Sequence, residues 1–155
     1  MDVGQILSDA RAMLMILADE AGQELHVDLD DRLPPLLVDS DIILRVITNL
    51  VDNAVKYTPE GGRIVLSART VTEGVLVSVR DNGPGIPPDL QEQIFDKYVR
   101  LKTNQPVSGA GLGLAFCRLA VEAHGGRIWV ESDGVEGTCF SFILPVQTQA
   151  AHLSV

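Results

Sequence analysis

Positive charge is scarce in this chain: 12 Lys and Arg stand against 21 Asp and Glu, a net charge of −9 over 155 residues. An acidic surface repels phosphate backbones, so nucleic acid is not expected as a partner. The same field opposes any polyphosphate ligand unless a metal ion and a few placed cations offset it locally. Cysteine is almost missing too. Cys117 and Cys139 lie inside apolar patterns, make neither a metal spacing nor a disulfide framework, and read as buried reduced thiols in a cytoplasmic setting. Long apolar runs are lacking. The longest, AMLMILA at 12–18, falls far short of the ~20 residues of a membrane span, so no membrane contact is expected. No secretory signal pattern, repeat, low-complexity segment or long charge block is present.

What remains is an ordinary globular composition, 46% hydrophobic and 21% charged. The length suits one domain with a single core, expected over residues 1–147 with a frayed tail at 148–155. Apolar residues at 3, 6, 7, 10, 13, 14, 17 and 21 follow the helical period. LHVDLD reads as a short strand. A second helix opens at Asp39 to Asp41 and runs to about Tyr57. RIVLSART and VLVSVRD form a hairpin, PPDLQEQIF a short helical turn, and 99–111 an aperiodic loop. GLGLAFCRLAVEAH is a third long helix, and RIWVES with TCFSFILP a closing hairpin. Strands and helices do not alternate regularly, which predicts an α+β arrangement with helices on one face of a sheet.

Three stretches stand out. VLVSVR runs straight into DNGPGIP (81–87). Val75, Val77, Val79 and Asp81 share one strand face, so a carboxylate follows three valines toward the apolar side, where it needs a donor. Read alone, Asp81 equally opens a plain turn. On the second helix Asn49, Asn53 and Lys56 fall within roughly 60° of one another, a third of a turn from Ile43, Ile47, Leu50 and Ala54. Carboxamide oxygens beside a lysine suit a metal–phosphate complex, and equally a solvated polar face. SGAGLGL (108–114) runs into a helix start, where backbone N–H groups meet anions, or where a loop simply ends. It is neither a Walker loop nor a dinucleotide fingerprint.

Together and in this order, these stretches resemble the ATP-binding catalytic domain of sensor histidine kinases, in the superfamily of gyrase-type, mismatch-repair and heat-shock chaperone ATPases. NLVDNAVKYTP (49–59) is similar to the asparagine box, DNGPGIP to the first glycine box, IFDKYVR (94–100) to the phenylalanine box and GAGLGLAFC (109–117) to the second glycine box. The likeness covers nearly the whole chain. It implies a two-layer α/β sandwich of Bergerat type: a mixed, mostly antiparallel sheet under three helices, with a mobile ATP lid.

The resemblance also implies roles. Asp81 would accept the adenine amine, with Gly83, Gly85 and Ile86 close to the base. Guanine, with an oxygen in place of that amine, would be refused. Asn53, assisted by Asn49, would hold Mg²⁺, and Lys56, Tyr57 and Arg100 would contact the nucleotide. Asn49, Lys56 and Arg100 would serve the transfer itself. Phe95 would anchor one side of the lid, with Gly109, Gly111, Leu112, Gly113 and Leu114 at its far hinge. Lys97 and Val99 depart from the phenylalanine-box pattern, which leaves them without an implied role. ATP-hydrolysing relatives carry glutamate where this chain has Asn49, and an amide cannot act as that base. Transfer to a protein nucleophile is therefore favoured over hydrolysis.

No histidine here suits a phosphoacceptor. His26 lies in a strand pattern, His124 ends a helix and His152 is in the tail. The acceptor is expected on a dimerising helical domain absent from this chain, with a response regulator as onward partner. The expected location is cytoplasmic, with a membrane-anchored parent left open. Two other classes share these boxes: a non-catalytic nucleotide-binding or docking module, and a serine kinase of anti-sigma type.

Overall fold

The structure is a computed structural model that describes residues 3–86, 88–91, 93–95, 113–132 and 137–146. The segment 99–111, the candidate residues Arg100, Gly109, Gly111 and Leu112, and the tail 148–155 with His152 lie outside the described residues.

Helix α1 (Val3–Glu20) buries Val3, Ile6, Leu7, Ala10, Leu14 and Ala18 along one stripe, as its period requires. Strand β1 (Glu24–Leu29) follows. Helix α2 (Ser40–Tyr57) starts where the Asp39 carboxylate accepts the N–H groups of Asp41 and Ile42, each at 3.1 Å. Strands β2 (Arg63–Val71) and β3 (Gly74–Asp81) form a tight hairpin. A short helix α3 (Pro88–Gln91) and a 3₁₀ turn (Gln93–Phe95) precede helix α4 (Gly113–Ala123). Strands β4 (Arg127–Glu131) and β5 (Thr138–Pro145) complete the chain's sheet.

The sheet runs β1-β2-β3-β5-β4. β1 pairs with β2 in parallel, and every other pair is antiparallel. Helix α2 makes the crossover that a parallel neighbour demands. Alternate residues of the central strands point inward: Ile64, Leu66 and Ala68, then Val75, Val77 and Val79, then Phe140, Phe142 and Leu144. They meet the buried faces of α1, α2 and α4 in one hydrophobic cluster. This is the expected sandwich of a mixed sheet and three helices. The opposite face is polar across its middle, where Ser78 and Ser141 hydroxyls pair at 3.0 Å.

The end of α2 is tied to the α1–β1 turn. The Gln23 amide is almost fully buried and donates to the Val55 carbonyl at 2.9 Å and the Thr58 carbonyl at 2.5 Å. Those carbonyls belong to the last turn, where no intrahelical donor remains.

Candidate nucleotide site

Strand β3 delivers Asp81 as its last residue, on the inward face set by Val75, Val77 and Val79. The turn alternative is therefore excluded: Asp81 pairs in register with Ile64 on one side and Thr138 on the other. The residue is only 6% exposed. Burial pushes its carboxyl up from 3.8 to about 6, although the Gly83 and Thr138 backbone N–H groups offset part of that cost. The Gly83 bond measures 3.0 Å.

Gly83 is needed for packing against α2. A Cβ there would stand 2.8 Å from the Tyr57 carbonyl and 3.1 Å from the Thr58 Cα. The close approach expected of a ligand is thus made, in this structure, by the end of the asparagine helix. That contact joins two of the predicted stretches directly. Asn82 adds a second tie, its side-chain oxygen accepting the Arg63 N–H at 2.7 Å. Gly85 is half-buried and Ile86 buried.

On α2, Asn49, Asn53, Lys56 and Tyr57 are all half-buried, beside a core face of Ile43, Ile47, Leu50 and Ala54. Lys56 Nζ lies 3.0 Å from Asp52 Oδ2 one turn back, so a phosphate must compete with that carboxylate for the cation. Asn49 faces the start of α4. A Cβ on Gly113 would come 3.8 Å from its Cγ and 3.9 Å from its Oδ1. The Asn49 side chain also hydrogen-bonds the buried Cys117 thiol, which burial pushes up to about 12. That thiol in turn faces the Val46 carbonyl at 3.7 Å. Arg45, one turn before Asn49, stacks over the Phe116 ring at 4.1 Å, fastening the same two helices. The N-terminus of α4 is thereby held against the asparagine stripe, with Leu114 half-buried on the core.

Phe95 packs edge-on against Phe140, ring centroids 6.0 Å apart, so it is anchored in the core. His124 joins α4 to the start of α2. Its Nε2 accepts the Asp39 N–H at 3.1 Å, which leaves the proton on Nδ1, 2.7 Å from the Ala120 carbonyl. The ring ties α4 to the cap of α2.

A divalent ion suits this donor set. Carboxamide oxygens on one helix are hard ligands, and among the described residues no cluster of three His, Cys, Asp or Glu could cage a metal. An ion here would have to share its shell with a ligand's phosphates and water. Sequence reasoning missed Thr138, Gly137, Ser132 and Gln91, which surround the 83–86 loop. Only the pairing of β5 with β3, invisible in a linear pattern, brings Thr138 to Asp81.

The described residues form no helix long and apolar enough to cross a membrane. Residues 38–148 match the family described as histidine kinase-, DNA gyrase B-, and HSP90-like ATPase. The chain is 43% identical over 147 residues to the adaptive-response sensory kinase SasA of Thermosynechococcus vestitus, covering 94% of this chain and 39% of that protein. The SasA kinase of Gloeothece citriformis is 46% identical over 128 residues, 82% of this chain and 33% of that protein. The chain thus spans between a third and two fifths of these relatives' length. Among solved structures, the catalytic domain of histidine kinase ThkA superposes with a TM-score of 0.80 at 30% identity, covering 93% of this chain and 94% of that one. Full-length ShkA in complex with AMPPNP gives 0.83 at 33% identity, over 96% of this chain and 31% of that one. The chain therefore belongs to the histidine kinase-, DNA gyrase B- and HSP90-like ATPase family, as an ATP-binding catalytic domain of the histidine kinase type.

Proposed function

We propose that this chain binds Mg-ATP with its adenine against Asp81 and transfers the γ-phosphoryl group to a histidine on a separate helical dimerisation domain. A response regulator then receives the phosphoryl group. The observation that carries the adenine assignment is the buried Asp81 carboxylate, which burial raises to about 6 despite two backbone N–H groups. An exocyclic amine supplies a further donor, and a carbonyl oxygen in its place is repelled.

Asn53 and Asn49 would hold the Mg²⁺ ion, which supplies charge neutralisation at the β- and γ-phosphates when bound. The protein's own part is placement. Lys56 turns from Asp52 to the phosphates, α4 offers its N-terminal N–H groups, and Arg100 would add a further cation. Asn49 offers no base for activating water, so the phosphoryl group waits for a protein nucleophile. The whole forms one domain over 1–147.

Calorimetry with ATP and GTP, each with and without Mg²⁺, tests the site. ATP binding that needs Mg²⁺ while GTP is refused is the expected result. Acid-labile labelling of a supplied acceptor hairpin tests the transfer. An acid-stable product would favour a serine kinase, and steady turnover without acceptor a hydrolase.

A further inference from the structure

The loop between Gly83 and Ile86 is fastened at both ends to the residues flanking the β4–β5 connection. The Ile86 N–H donates to Ser132 Oγ at 2.8 Å. The Ile86 carbonyl accepts from Gln91 Nε2 at 2.9 Å, and the same amide nitrogen donates to the Ser132 carbonyl at 2.9 Å. Ser132 Oγ donates to the Gly137 carbonyl at 2.9 Å, and the Gly137 N–H donates to the Gly83 carbonyl at 2.6 Å.

Donor counting fixes every role in this circuit. A backbone N–H can only donate, so Ser132 Oγ accepts from Ile86 and its single proton goes to Gly137. Both Gln91 amide protons point at carbonyls, and flipping the amide would set an oxygen against two oxygens. The latch also ends where Asp81 is gripped. Gly83 and Thr138 bond the carboxylate, and Gly83 and Gly137 are the latch's own attachment points. A change in the latch therefore moves Gly83, one of the carboxylate's donors, with it.

We propose that Ser132 and Gln91 are positioning residues that hold the Gly83–Ile86 loop at a fixed distance from Asp81, and so set the preference for adenine over guanine. The inference rests on the reading of Asp81 as the adenine acceptor.

The test measures binding of adenosine, Mg-ATP and Mg-GTP to this chain by calorimetry, with melting temperatures alongside. Leaving the part-buried Ile86 N–H unsatisfied in Ser132→Ala, or setting a carboxylate against the Ile86 and Ser132 carbonyls in Gln91→Glu, predicts about a tenfold loss. The loss is equal for adenosine and Mg-ATP, because the phosphate end is untouched, and the ATP-to-GTP ratio narrows. Ser132→Thr, which keeps the hydroxyl, retains affinity. Gln91→Ala, on the short α3, provides the same measurement should Ser132→Ala fail to fold. Ser78→Ala removes a hydroxyl pair between β3 and β5, outside the latch, and leaves binding unchanged. Wild-type affinity and selectivity in Ser132→Ala and both Gln91 variants overturn the proposal, as does an equal loss in Ser78→Ala at matched melting temperature. Asp81→Asn separates the two layers. If it weakens adenosine binding while the latch variants do not, only the latch fails; if it changes nothing, the adenine reading fails and the latch with it.

Discussion

Asp81 and Thr138 lie opposite each other on β3 and β5, and the Thr138 N–H bonds the Asp81 carboxylate from the neighbouring strand. Substituting Asn at position 81 keeps an acceptor for Gly83 and removes the charge. ATP affinity is expected to fall by ~1.5–3 kcal/mol, the range for a hydrogen bond to a charged group. Unchanged affinity in calorimetry would remove Asp81 from the adenine site.

The same substitution is expected to raise stability. The folded protein holds the Asp81 proton more tightly than the unfolded chain, with values of about 6 and 3.8. Asp81 therefore favours folding fully below pH 3.8, and that contribution is lost as pH rises through about 6. At about 1.36 kcal/mol per pH unit, the loss at pH 7 is on the order of 3 kcal/mol. Melting curves should place Asp81→Asn above wild type at pH 7 and bring the two together near pH 4. A wild-type advantage at pH 7 refutes this.

Binding should also move a proton. Adenine favours the ionised carboxylate, so near pH 6 ATP binding by wild type releases more protons than binding by Asp81→Asn. Calorimetry in buffers of different ionisation enthalpy measures the difference, and equal release by both proteins contradicts the assignment.

Asn53→Ala is expected to abolish the Mg²⁺ dependence of ATP binding while leaving the circular dichroism spectrum intact, since Asn53 stands off the core face of α2. A variant as metal-dependent as wild type would free Asn53 from the metal role.

Gly83→Ala forces a methyl to 2.8 Å from the Tyr57 carbonyl. Overpacking of this kind costs about 1–3 kcal/mol, so the melting temperature should drop and ATP affinity with it. Retained stability would mean that the loop yields without disturbing α2.

Much of this was legible in the chain. The valine alternation already aimed Asp81 inward, and the helical spacing already put Asn49, Asn53 and Lys56 on one half-buried face of α2. Local periodicity carries both facts, because each concerns residues within one element. What joins elements was hidden. The parallel seating of β1 on β2, and the antiparallel place of β5 between β3 and β4, depend on which apolar faces fit together. Thr138 reaches Asp81, and Ser132 the loop, only through that order. Gly83 was expected to admit a ligand, while its missing Cβ also admits the carbonyl of Tyr57.

Gln23 ties a segment that precedes the family match to the end of α2. The match begins at residue 38, yet the donors for the Val55 and Thr58 carbonyls come from residue 23. Helix α1 supplies Leu7 and Leu14 to the same core. A piece trimmed to the matched span would strip the sheet of its parallel edge strand. It would also leave the last turn of the asparagine helix without its buried donor, beside Lys56 and Tyr57, which we propose meet the nucleotide. The core that this sheet builds reaches beyond the span that the family model matches.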